Sequence, residues 1–130
     1  MSTDRIIIAP AEGSEWPLSL ADFADRLSER IPDAHTTVQH SPATNGDYYT
    51  FQFGEPGRRR YGAYFERSNL SLSDGTIEDW SDTIAWFLRL LPEGTPTVCL
   101  LEAVPIPTPL STRSTPAQVA AILNELNESL

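Results

Sequence analysis

The reading of one stretch decides the fold: Tyr48-Tyr49-Thr50-Phe51-Gln52-Phe53-Gly54-Glu55-Pro56-Gly57-Arg58-Arg59-Arg60-Tyr61-Gly62-Ala63-Tyr64-Phe65. Tyr49, Phe51 and Phe53 recur every second residue, the period of a strand with one apolar face. Gly54 to Gly57 has the composition of a turn. Tyr61, Ala63 and Phe65 repeat the alternation on the way back, so the stretch predicts an antiparallel hairpin. On this reading Tyr48 and Tyr64 fall on the face opposite Phe51, Phe53 and Phe65.

Outward from the hairpin, residues 35–40 and 69–72 predict one further strand on each side, the second closed by Ser73-Asp74-Gly75. Ile6 to Ala9 is a short β-branched run stopped by Pro10, and residues 97–104 form a second nearly continuous apolar run; both predict strands. Pro105-Ile106-Pro107-Thr108-Pro109 must be extended, because each proline fixes its own φ and turns its predecessor away from helix. Three helices carry start signals. Ser19 and Asp22 have capping-box spacing, followed by Leu20, Phe23, Ala24, Leu27 and Ile31 on one face until Pro32. Thr76 precedes two acids in a first turn, with Ile77, Trp80, Ile84, Phe87, Leu88 and Leu91 forming the stripe. Thr115-Pro116-Ala117-Gln118 is a capping box with proline at the first helical position, ahead of Val119, Ile122, Leu123, Leu126 and Leu130.

The order β-α-β-β-β-β-α-β-α predicts an α+β fold: an antiparallel or mixed sheet of five to six strands, with three helices packed mainly on one face. The 130 residues suit a single domain, and nothing in the sequence reads as an internal linker. In the order of its elements alone the chain resembles the small secretion-chaperone fold, although no sequence motif carries that likeness.

The chain holds 18 acidic residues against 9 basic ones, all Arg, for a formal net charge of -9. Nucleic acid and anionic membrane surfaces reward the opposite balance, so neither is expected as a partner. No apolar run approaches the ~18 residues of a membrane helix. The Ile6 to Ala9 run is too short for a secretory leader, and a lone Cys99 allows no internal disulfide; a cytoplasmic protein is expected. The acidity is uneven. Residues 47–67 carry four Arg against three acids, an Arg- and Tyr-rich island.

That island supplies the first candidate site. Arg58, Arg59 and Arg60, with Arg67 nearby, suit a carboxylate or phosphate clamp, or else solubilise a hairpin by pairing with Glu55 and Glu66. Tyr48 and Tyr64 on the second face, together with Arg58, Arg60 and Arg67, have the composition of a binding surface. Trp86 and Leu90 form the other candidate, since they lie roughly opposite the apolar stripe of their helix. A second layer such as the Pro-rich segment or the C-terminal helix covers them, or they meet a partner.

Other groups read as structural. Glu78, Asp79 and Asp82 fit the first turn of a helix. His35 and His40 are five apart on a strand and point to opposite faces, so no metal site is expected. Cys99 in an apolar strand reads as an inert thiol. The chain has no nucleophile elbow, phosphate-binding loop, dinucleotide fingerprint or metalloprotease motif. No cofactor is expected. The leading expectation is therefore a non-enzymatic, acidic protein-interaction module of adaptor, chaperone-like or inhibitor/immunity-like type, with a protein partner. The alternative is a small-ligand binder or small enzyme with a pocket between sheet and helices, its polar groups drawn from Arg58 to Arg60, His35 or His40. A homodimer through the sheet edge or the C-terminal helix is compatible with either.

Overall fold

The computed structural model describes residues 5–42 and 46–128. Its elements run β1 (Ile6–Pro10), α1 (Leu20–Arg30), β2 (His35–Ser41), β3 (Gly46–Phe53), β4 (Arg60–Phe65), β5 (Asn69–Ser73), α2 (Ile77–Leu88), β6 (Thr97–Leu101), β7 (Thr108–Pro109) and α3 (Pro116–Glu128). The described residues form an α+β fold with three helices, as expected. The sheet is antiparallel throughout and has seven strands in the order β2-β3-β4-β5-β1-β6-β7, one more than the upper expectation. The additional strand comes from the Pro-rich segment. Residues 97–104 do not stay extended: β6 ends at Leu101, whose backbone exchanges hydrogen bonds with Val104, and the chain folds back so that Thr108 and Pro109 pair with Cys99 and Val98.

The helices begin where the capping residues stand. Ser19 Oγ accepts from the Asp22 amide at 3.1 Å. Thr76 and Asp79 exchange two 3.0 Å bonds, and Thr115 and Gln118 do the same at 3.2 and 2.9 Å. These bonds satisfy amides that a helix N-terminus otherwise leaves open. Every member of the α2 stripe is buried, as are Phe23 and Leu27 of α1 and Val119, Leu123 and Leu126 of α3. Leu130, assigned to the α3 stripe, lies outside the described residues.

All three helices lie on one side of the sheet, over Ile6, Ile8, Tyr49, Phe51, Tyr64, Leu70, Leu72, Cys99 and Leu101, each no more than 5 % exposed. Phe23 in the first turn of α1 meets Tyr49, Phe51 and Tyr64 with ring centroids 4.5–5.8 Å apart, and Phe87 of α2 packs on Trp16 and Tyr64. Burial of such side chains contributes roughly 1.5–3 kcal/mol each. This aromatic cluster pins the hairpin to the helix layer.

The hairpin's faces correct the sequence reading. Tyr49, Phe51 and Phe53 do share a face, but the register pairs Phe51 with Gly62 and Tyr49 with Tyr64. The core side of β4 is therefore Gly62 and Tyr64, and the alternating Tyr61, Ala63 and Phe65 point the other way. The cause is steric. A Cβ on Gly62 would lie 2.1 Å from Phe51 Cζ, so the Phe51 ring occupies the space that a side chain at 62 would need.

Candidate interaction surface

With the helices on one side, the opposite side of the sheet is left without a buried side chain. From β3 it takes Tyr48, Thr50 and Gln52, and from β4 Tyr61, Ala63 and Phe65; β5 adds Asn69, Ser71 and Ser73, β1 adds Ile7 and Ala9, and β6 adds Val98 and Leu100. Strand alternation places them there: each is one residue away from a core position. The ladder aligns Thr37, Thr50, Ala63, Ser71, Ile7 and Leu100 in a row across six strands. Tyr48 stacks on Phe65 with centroids 4.8 Å apart, and its hydroxyl donates to Gln39 Oε1 at 2.8 Å. Thr37 and Thr50 join through their hydroxyls. Gly62, Ala63 and Ser71 are small, which leaves a shallow hollow of about 230 Å³ between Tyr61, Phe65 and Arg5. Tyr61 stands at its rim, 45 % exposed.

The residues expected to form one Arg/Tyr patch are not brought together. Tyr64 is fully buried, contrary to its assignment to the outer face. Its hydroxyl donates to the Leu18 carbonyl at 2.7 Å and accepts from the Arg67 amide at 3.2 Å, and burial pushes its phenol from 10.0 up to about 12. Arg60 is turned to the helix side. There its guanidinium lies 5.4 Å from the Phe53 ring centroid and donates to the Asp79 carbonyl at 3.2 Å, so it ties β4 to the start of α2. The expected pairing of the Arg run with Glu55 and Glu66 does not form: Glu66 instead accepts from the Leu20 amide at 2.7 Å and caps α1. Arg58 and Arg59 are exposed in the β3–β4 turn. Arg67 sits in the β4–β5 turn with φ of 62°, at the other end of a six-residue strand that spans about 20 Å. Arg58, Arg59 and Arg67 make no side-chain hydrogen bond or ion pair among the described residues. Of the assigned binding residues in the hairpin, Tyr48 alone contributes a half-buried side chain to the open face.

Trp86 and Leu90 are half-buried, with cover from α1, and Pro116 at the start of α3 borders the same hollow as Trp86. Arg30 lies 5.4 Å over the Trp86 ring, and Phe23 meets it at 6.2 Å. Leu90 borders a hollow with Leu18, Asp22 and Arg26. The two side chains belong to the seam between α1 and α2.

His40 lies within 2.9 Å of Asp47 Oδ1, while the register puts His35 on the other face beside Gln52. Among the described residues no cluster of His, Cys, Asp and Glu has the arrangement of a metal site. Cys99 is buried, which raises its thiol from 9.0 to about 11. Asp79 is held below the usual carboxylate range by the Thr76 amide, a cap rather than a reactive acid. An open groove of about 960 Å³ lies between the β6–β7 end of the sheet and α3 and is bordered by Thr95, Thr97, Leu110, Arg113, Gln118 and Ile122. It takes nothing from Arg58 to Arg60, His35 or His40. Arg113 at its edge is paired with Glu93 at 2.8 Å.

The sequence reading missed Tyr61, Ala63 and Phe65 as outer-face residues. Gly62 was the available signal, since a glycine among large aromatics on a strand marks a place where a ring from the next strand needs room. Among the described residues no helix is long and apolar enough to cross a membrane. Comparison with protein-family models, curated proteins and solved structures finds no match to this chain.

Proposed function

We propose that this protein is a non-enzymatic protein-interaction module whose binding surface is the open face of its sheet. The observation that carries the proposal is the face itself: wide, free of buried side chains, and built from Tyr48, Tyr61, Phe65, Ile7 and Leu100 among small hydroxyl residues. Aromatic and aliphatic groups interleaved with short polar ones provide contact area with little rotamer entropy to lose. The net charge of -9 favours encounter with a basic partner, whereas the open face supplies the short-range contacts. The expected setting is the cytoplasm.

The test is capture of partners from native lysate by the unaltered chain and by Ala63→Arg, which places a long cation at the centre of the face without touching the core. Loss of a specific captured protein, with circular dichroism and melting unchanged, supports the proposal. An identical captured set from both chains refutes it.

A second reading rests on the groove beside α3, whose size and largely apolar lining, edged by Thr95, Ser111 and Gln118, suit a small ligand with an apolar body. A thermal shift of several degrees with one class of metabolite, abolished by Ile122→Glu at the half-buried wall of the groove with the melting temperature of the free chain kept, is the result that would favour it.

A further inference from the structure

The two edges of the sheet differ in a way that bears on assembly. At one end β7 is two residues long, contains Pro109 and follows Pro105 and Pro107, so it offers few backbone donors to a further strand. At the other end β2 runs for seven residues in unbroken register with β3, with no bulge. Among the described residues β3 is its only neighbour in the sheet, so alternate residues of β2 direct N–H and C=O groups away from the sheet. Residues 35–40 are exposed on both faces, and among the described residues no helix packs over this strand. An open edge is usually protected by lysine, proline, a bulge or a covering loop. β2 carries no Lys, Arg, Asp, Glu or Pro, in a chain where acidic residues are otherwise frequent.

We propose that β2 pairs with β2 of a second copy of this chain to form an antiparallel, two-fold dimer with one continuous sheet. The geometry is self-complementary. A two-fold axis normal to the sheet keeps the same face of both copies upward, so each residue must meet one from its own face. Full overlap of the seven residues is then centred on Val38, with Thr37 opposite Gln39 and Thr36 opposite His40. Val38 is 63 % exposed, the most exposed of the large hydrophobic residues among those described, and it meets its own counterpart on the axis. Because β7 is blocked, the pairing closes at two copies and does not propagate as a filament. The strand is short against the area of a standard interface, so the dimer is a reversible one. Two chains of -9 repel at long range while the paired edge holds no acid, so salt strengthens the association. Pairing leaves the open face uncovered in both copies, so this dimer and the proposed binding surface stand or fall separately.

Sedimentation from micromolar to millimolar protein tests the proposal, at about 50 mM and about 500 mM salt. The expected result is a mass rising from 14.4 kDa toward twice that value, at lower protein concentration in the higher salt. Val38→Lys is expected to weaken the association by about tenfold or more while the circular dichroism spectrum is kept. Independently, Val38→Cys is expected to cross-link rapidly under mild oxidation, whereas Ile106→Cys, at a site 59 % exposed elsewhere, is not. A constant mass of 14.4 kDa under all conditions overturns the proposal, even if β2 takes up a foreign extended peptide. So does a dimer insensitive to Val38→Lys, one that weakens in salt, or equal cross-linking from both cysteines.

Discussion

At Gly62 a hydrogen atom stands where any other residue would place a Cβ 2.1 Å from Phe51 Cζ. Gly62→Ala is therefore expected to displace the ring and cost roughly 1–3 kcal/mol in urea denaturation. Phe51→Leu in the same chain should recover part of that loss, a coupling that a general dislike of alanine at 62 would not produce. The same residue explains what was legible in the hairpin and what was not. Alternation identified both strands and their turn, but Tyr61, Ala63 and Phe65 imitate a core stripe more closely than Gly62 and Tyr64 do. Which stripe faces inward depends on the ring across the ladder, a long-range fact that periodicity does not carry. The inward choice also makes Tyr64 and Cys99 buried acids in their neutral forms. Their folded-state values, about 12 and about 11, lie above the ordinary 10.0 and 9.0. Their stabilisation is thus complete below about pH 9 and is lost as pH rises toward 12, on the order of 2–3 kcal/mol for each group. Urea midpoints measured from pH 7 to 11 should fall above pH 9, and less steeply in Tyr64→Phe.

At the scale of elements, the helices were the most legible part of the chain because their start signals are local. Thr76 and Asp79 bond each other across three residues, and no tertiary partner is needed to recognise the motif. Thr76→Ala is expected to lower stability by about 1 kcal/mol, with fraying confined to the first turn of α2 in amide exchange. The start of α1 is different. Ser19 was readable, but the Leu20 amide is satisfied by Glu66, 46 residues away. Glu66→Gln should keep most of that bond and Glu66→Ala should lose it, a difference readable as a lower melting temperature for the alanine variant alone. Trp86 and Leu90 show the same division between local and distant information. Helical period correctly separated them from the main stripe of α2, yet it could not indicate that α1 lies over them.

For the whole molecule, the decisive feature is that three helices cover one side of a seven-stranded sheet and leave the other side open. The sequence-level Arg and Tyr island divides when folded: Tyr49 and Tyr64 go to the core, Arg60 to α2, and Arg58 and Arg67 to opposite turns. What remains on the open face is nearly uncharged, with Arg5 and Glu102 paired at 3.7 Å at its margin. Binding there is expected to weaken when salt screens the attraction of a basic partner to a chain of -9, opposite to the response of the β2 dimer. Tyrosine nitration read by mass spectrometry, on the free chain and on the complex captured from lysate, reports whether the open face is the binding surface. Modification of Tyr48 and Tyr61 but not Tyr49 or Tyr64 is expected in the free chain, and protection of Tyr48 and Tyr61 in the complex. Equal nitration of Tyr61 with and without the bound partner would place the binding surface elsewhere on the molecule.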